Sequence, residues 1–176
     1  MLPFLLRQTP NALSLARLLA APAVAYLIST HHPAAWPAFV AGALSDAADG
    51  WLARRLHVTS NLGLYLDPLA DKTFVTLTTI AWALAGQLPY WLLALILGRD
   101  LFILLGSALI YTVKRRKDFA PTPAGKISTI LQMLALGACF WFTGFWLNFF
   151  LALTTLGTLV SLLDYARLGW QKWNAA

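Results

Sequence analysis

The sequence predicts an all-α membrane protein. It reads as one domain over residues 1–176, with six transmembrane helices and a short interfacial helix at the N-terminus. Three observations carry that prediction. Hydrophobic residues make up 59% of the chain and charged residues only 11%, against roughly 25% charge in soluble domains. Several apolar runs approach or exceed the ~20 residues that span a bilayer as a helix. Lys and Arg fall in short clusters between those runs and are missing from every second turn.

The elements follow in order. Residues 1–8 carry Leu2, Phe4, Leu5 and Leu6 with a single charge, Arg7. That stretch is too short to span and suits a helix lying along the membrane surface. It lacks a charged n-region and a small-residue cleavage site, so it does not read as a removable signal. Pro10 is expected to break the chain, and Asn11 to cap the first spanning helix over Ala12–Thr30. His31, His32 and Pro33 make a turn. The second helix covers Trp36–Leu56, the third Asn61–Ala85, and Gly86–Pro89 is a turn. The fourth covers Tyr90–Val113, followed by the basic cluster Lys114–Lys117 and a loop with Pro121 and Pro123. The fifth covers Ala124–Thr143 and the sixth Phe145–Leu168.

Charge sets the orientation. Arg7, the Arg54–Arg55 loop, the cluster at 114–117 and Lys172 fall on one side. The turns at His31, Gly86 and Gly144 carry no Lys or Arg. Both termini are therefore expected in the cytoplasm of a bacterial-type inner membrane. The net charge of +6 then belongs to topology and anionic lipid head groups, and nucleic acid is not expected as a partner. The single cysteine, Cys139, excludes a disulfide within one chain and a zinc site built on cysteines. The eight tryptophans lie mostly near predicted helix ends, as interfacial anchors do. Asp164 and Arg167, three apart, read as a local ion pair.

Four of the seven acidic residues crowd into one stretch, residues 45–72. Asp46, Asp49, Gly50 and Ala53 stand at i, i+3, i+4 and i+7, on one face of the second helix. Asp67 and Asp71 stand at i and i+4 on the third. A short connection makes the two helices antiparallel neighbours, so four carboxylates can surround one small volume near the cytoplasmic side. At low dielectric such charges repel strongly. Divalent cations relieve the repulsion, and an all-oxygen set selects hard ions, Mg²⁺ or Mn²⁺ before zinc. Two ions in one site suit displacement at phosphorus. Gly50, Ala53 and Gly63 leave room for a bulky ligand, and Arg54 can grip a phosphate. Pro68 disfavours helical geometry at Asp67. Two other readings of intramembrane acids stand beside this one: structural pairing with Arg54 and Arg55, and a cation- or proton-coupled transporter.

The pattern Asp46-x-x-Asp49-Gly50-x-x-Ala53-Arg54, eight residues, then Gly63-x-x-x-Asp67-x-x-x-Asp71 resembles the signature of the CDP-alcohol phosphatidyltransferases at all eight fixed positions. Pro10-Asn11, Arg17, Pro22, Arg99-Asp100, Gly125-Lys126, Thr129 and Gln132 are similar to further segments of that family. The resemblance implies a six-helix fold and a homodimer. It implies transfer of a phosphatidyl group from CDP-diacylglycerol to an alcohol, with release of CMP. By resemblance Asp46, Asp49, Asp67 and Asp71 bind metal, and Asp71 also acts as general base. Asp46, Asp49, Gly50, Ala53, Arg54 and Gly63 map to the CDP-binding part. Arg17, Arg99, Asp100 and Lys126 are candidates for the acceptor pocket. The acceptor stays open between phosphatidylglycerol, as in the cardiolipin synthase branch, and glycerol 3-phosphate, as in the phosphatidylglycerophosphate synthase branch, while phosphatidylserine- and phosphatidylinositol-type synthases share the motif. Asp100 in place of the Glu usual in the second branch, Ser128 in place of a second lysine, and Gly106-Ser107-Ala108 without an arginine favour the less charged acceptor.

Overall fold

A computed structural model describes the backbone of residues 4–56, 63–114 and 122–174, and the side chains of residues 12–45, 69–109, 112–113 and 122–174. Among these, six α-helices follow one another: α1 (Phe4–Ser29), α2 (Ala35–Leu56), α3 (Gly63–Leu84), α4 (Tyr90–Lys114), α5 (Pro123–Ala138) and α6 (Gly144–Asn174). The chain divides into two compact units, Met1–Gln87 and Leu88–Ala176, each with three of the helices. Three helices among the described residues are long and apolar enough to cross a membrane: Ala12–Ser29 within α1, Tyr90–Leu109 within α4, and Gly144–Asn174.

Three boundaries depart from the expected ones. The interfacial segment and the first span form one helix, α1, which continues through Pro10. A proline forfeits one N–H bond, and here it does so in the second turn, where few intrahelical bonds precede it. The same reasoning covers Pro68, six residues into α3. The fifth helix ends five residues early, at Ala138. There the Cys139 N–H bonds to Ala135 O, and those of Trp141 and Phe142 turn back on Ala138 O. The sixth runs to Asn174 rather than stopping near Leu168, because Arg167, Gln171 and Lys172 are good helix formers outside an apolar run.

In the first unit α1 packs against both α2 and α3. Its buried stripe is Ser14, Arg17, Ala21, Val24 and Ile28, spaced alternately by three and four, the seam a helix presents to neighbours it crosses at a shallow angle. On α3 the buried residues Ala70, Phe74, Thr78, Ala81 and Trp82 face inward. Helix α2 meets α3 where Phe39 stacks on Phe74 at 5.8 Å between ring centroids. One turn on, Gly42 lies against the same ring.

In the second unit α6 packs against α5 and α4. Its buried stripe is Leu147, Leu151, Thr154, Thr158 and Ser161. Gly125, Ser128, Gln132 and Ala135 are the matching stripe on α5. This seam is polar. Gln132 Nε2 lies 3.5 Å from both Ser128 Oγ and Thr158 Oγ1, and Thr154 donates to Leu131 O at 3.0 Å. Between apolar helices such side chains join helices that hydrophobic burial cannot sort. The outward faces are apolar instead: Leu19, Tyr26, Leu101, Leu104, Leu105, Phe145 and Leu163 are all exposed. Within each unit, exposed apolar side chains outside a partly polar packed seam are the inside-out pattern that a bilayer requires.

Two helices end alike. After α1, His31 takes a left-handed φ of 51° and the His32 N–H bonds to Leu27 O at 2.9 Å. After α3, Gly86 takes φ 78° and the Gln87 N–H bonds to Trp82 O at 3.1 Å. Both satisfy the carbonyls left over at a helix end.

Gly42→Ala is expected to lower stability by about 1–3 kcal/mol. Its Cβ would stand 2.5 Å from the Phe74 ring; a thermal midpoint in detergent measures the loss. His31→Gly is expected to raise the same midpoint, since a side chain in left-handed geometry costs roughly 1–2 kcal/mol.

Candidate functional site

Arg17 of α1 reaches across the first unit to two helices. Its Nε donates to Ser45 Oγ of α2 at 3.2 Å, and its Nη1 pairs with Asp71 Oδ1 of α3. Ser45 in turn donates to Gly42 O at 2.8 Å. The Arg17 side chain is 2% exposed and that of Asp71 42%. One carboxylate oxygen thus faces a buried cation while the group as a whole stays accessible. A guanidinium buried among apolar helices needs such partners, because its desolvation is compensated only by paired charge and hydrogen bonds. The pairing fixes where the carboxylate of Asp71 points.

These contacts also set the register of α2 on α3. Gly42 meets Phe74, and Ser45 meets Asp71 through Arg17. Advancing three residues on α2 therefore retreats three on α3, so the two helices run antiparallel, as the short connection predicts. Asp46 and Asp49 lie on α2, and Asp67 and Asp71 on α3, with both stretches helical. The side chains of Asp46, Asp49, Gly50, Ala53, Arg54, Gly63 and Asp67 lie outside the described residues, as does the cap at Asn61 and the cluster from Arg115 to Lys117. Among described residues, no group of three or more acid, histidine or cysteine side chains gathers.

The second unit holds a second buried arginine. Arg99 of α4 is 7% exposed. Its Nε and Nη2 both donate to Ser161 Oγ of α6, at 3.1 and 2.7 Å. Its Nη1 donates to Asp100 Oδ1 at 2.6 Å, and its Nη2 reaches Gly125 O of α5 at 3.5 Å. The guanidinium carbon stands 5.7 Å from the centroid of the Tyr165 ring, within cation–π range. The Tyr165 hydroxyl accepts from the Thr122 N–H at 3.2 Å. Thr122 caps α5: its Oγ1 accepts from the Gly125 N–H at 3.0 Å, with Pro123 in the first turn. Lys126 is exposed on that same turn. Thr129 donates to Gly125 O at 3.1 Å, and Gln132 sits in the polar seam. Asp164 and Arg167 make no ion pair with each other; Arg167 is exposed, where such a pair gains little.

Ser45, Ser161, Tyr165 and Thr122 were not among the sequence candidates. For Ser161 and Tyr165 the signal was a polar stripe at helical spacing, Thr154, Thr158, Ser161 and Tyr165, in an otherwise apolar helix.

Three long apolar helices and exposed apolar side chains in each unit define a membrane protein, and an acid-rich motif runs along two helices of its first unit. The chain belongs to the CDP-alcohol phosphatidyltransferase family, whose sequence model matches residues 7–161 and so runs through both units. It is 41% identical over 146 residues to a cardiolipin synthase (CMP-forming)/mitochondrial hydrolase fusion protein of Schizosaccharomyces pombe, covering 73% of this chain and 24% of that one. It is 34% identical over 134 residues to a probable phosphatidylglycerophosphate synthase of Mycobacterium tuberculosis, covering 72% and 63%. It is 33% identical over 157 residues to a CDP-diacylglycerol–glycerol-3-phosphate 3-phosphatidyltransferase of Aquifex aeolicus, covering 88% and 87%. The chain thus spans about a quarter of the fission-yeast protein and just under two thirds of the mycobacterial one.

A double-mutant cycle with Arg17→Gln and Asp71→Asn is expected to give a coupling of about 1 kcal/mol in thermal stability. The value sits toward the low end because the Asp71 side chain is 42% exposed and solvent screens the pair.

Proposed function

We propose that this protein transfers a phosphatidyl group from CDP-diacylglycerol to an alcohol and releases CMP. The observation that carries the reading is the eight-residue signature over α2 and α3, with its last carboxylate, Asp71, held by Arg17. The contacts of Gly42 with Phe74, and of Arg17 with both Ser45 and Asp71, support an antiparallel α2–α3 pair as the carrier of that signature.

The donor set tests which ion would fit. Four carboxylates, with no thiol or imidazole in the motif, suit a hard divalent cation. Asp46, Asp49, Asp67 and Asp71 would hold Mg²⁺ or Mn²⁺, two ions in all. Bound there, the ions neutralise charge on the diphosphate. The rest falls to the chain's own residues. Gly50, Ala53 and Gly63 leave space beside the backbone for the cytidine nucleotide, and Arg54 donates to a phosphate oxygen. Asp71 accepts the proton of the acceptor hydroxyl as its oxygen bonds to phosphorus and the bond to CMP breaks. Arg17 holds that carboxylate in place through its Nη1. Arg99, Asp100 and Lys126 are assigned to the acceptor.

Phosphatidylglycerol is the preferred acceptor, giving cardiolipin; glycerol 3-phosphate is the alternative. Relatives named for each reaction occur among the similar proteins. What favours the first is charge. Asp100 neutralises Arg99 at 2.6 Å, and position 128 offers a buried serine rather than a cation. A phosphate dianion would find little net positive charge there. All six helices are proposed to cross the membrane. At 22 residues α2 and α3 are each about 33 Å long, enough for a ~30 Å hydrocarbon core, whereas α5, at 16 residues and about 24 Å, would cross only with local thinning of the bilayer. Both termini and the acid-bearing helix ends would lie on the cytoplasmic side, and a homodimer is the proposed assembly.

Purified protein with CDP-diacylglycerol, Mg²⁺ or Mn²⁺ and phosphatidylglycerol is expected to release CMP, chelation with EDTA to stop it, and Asp71→Asn to reduce turnover at least ~10²-fold. Full turnover by the Asn variant would remove Asp71 as the base. Strict preference for glycerol 3-phosphate would overturn the choice of acceptor.

A further inference from the structure

Arg99 is held from every side. Ser161 Oγ accepts from Nε and Nη2 at once, at 3.1 and 2.7 Å. Asp100 takes Nη1, and Gly125 O lies 3.5 Å from Nη2. The Tyr165 ring covers one face of the guanidinium. The ring in turn is fixed at its far end, where its hydroxyl takes the N–H of Thr122. Gly125 lets this assembly close: a Cβ there would stand 2.9 Å from the Tyr165 oxygen and 3.3 Å from Arg99 Nη2. A long side chain that loses all its rotamer freedom is costly to order. Here α5 and α6 contribute three groups to ordering it: Gly125 O, Ser161 and the Tyr165 ring. Ser161 is completely buried, with 0% exposure, so it cannot serve a ligand directly and acts through Arg99.

Neutral oxygens could not be replaced by a second carboxylate without cost. Ser161 and Gly125 O accept from Arg99 without neutralising it, which leaves Asp100 as the carboxylate paired with it among the described residues. The guanidinium therefore keeps a fixed plane and a defined charge. Of its five N–H groups, two of Nη2, one of Nε and one of Nη1 are engaged, so a single Nη1 hydrogen remains for a ligand. One directed donor beside a carboxylate suits a hydroxyl-bearing, weakly charged group better than a phosphate dianion, which prefers the full two-pronged fork.

We infer that Ser161 and Tyr165 are positioning residues that fix the Arg99 guanidinium for the acceptor alcohol. This rests on the reading of Arg99 as an acceptor contact. The role predicts a split between substrates: loss of positioning weakens the acceptor and leaves the donor alone.

The test measures KM for phosphatidylglycerol and for CDP-diacylglycerol in the full-length protein, alongside the thermal midpoint in the same detergent. Ser161→Ala is expected to raise the acceptor KM about tenfold, the loss of a hydrogen bond to a charged group, with the donor KM within twofold. Ser161→Thr, which keeps the oxygen, restores most of it. Tyr165→Leu, which removes the ring, raises the acceptor KM severalfold, and Tyr165→Phe, which keeps it, less. An equal rise in both KM values, or no rise with either Ser161→Ala or Tyr165→Leu, overturns the positioning role. If Ser161→Ala does not fold, the Tyr165 pair decides alone. Arg99→Gln separates the two levels: an acceptor KM raised by Arg99→Gln but not by the Ser161 and Tyr165 variants leaves the acceptor reading standing and removes this one. An acceptor KM untouched by Arg99→Gln removes both.

Discussion

A guanidinium buried among apolar helices must find a partner for its charge and for its donors, and each half of this protein is built around meeting that demand. Arg17 enters from α1 and takes Ser45 and Asp71 from the other two helices of its unit. Arg99 enters from α4 and takes Ser161 from α6 and Gly125 O from α5, with Asp100 beside it. In both units one arginine ties three helices, a serine hydroxyl receives the Nε hydrogen, and a carboxylate takes Nη1. In a medium where hydrophobic burial does not sort helix from helix, such polar ties select the arrangement.

The two ties leave their partners differently exposed. The Asp71 side chain is 42% exposed while one of its oxygens pairs with Arg17, so the carboxylate is both oriented and accessible. Arg99 is closed in by Ser161, Gly125 O and the Tyr165 ring, with Asp100 beside it, so its guanidinium keeps one orientation. Close packing supports both. Gly42 admits the Phe74 ring behind the first cluster, and Gly125 admits Tyr165 behind the second. In each case a missing Cβ lets an aromatic ring back the arginine's surroundings, and rigid surroundings are what hold a functional side chain to within a fraction of an ångström.

Much of this was legible in the sequence. Four acids at i, i+3 and i, i+4 spacing in apolar surroundings have few physical explanations, and their spacing alone places each pair on one helix face. Helix number and order were legible from apolar runs and from turns at His31, Gly86 and Gly144, and the structure has the same six helices in that order. Element ends were less so. Pro10 looked like a break, yet α1 runs through it, because a proline near a helix start removes only one bond. Helix α5 stopped short of Thr143 where the backbone turned at Ala138, a choice made by local carbonyls and not by hydropathy.

Residue types and their periodic spacing thus determined the helical class, the family signature and the identity of the acids, since those depend on neighbours three or four residues away. Which side chain answers which charge was decided only by tertiary structure. Arg17 reads in sequence as one more cation for an acceptor; in the fold it closes on Asp71, 54 residues away. Ser161 and Tyr165 read as ordinary members of an apolar helix; in the fold they seat Arg99, 62 residues from Ser161. Pairing over such separations is fixed by how helices cross and in what register, and local periodicity carries no information about that.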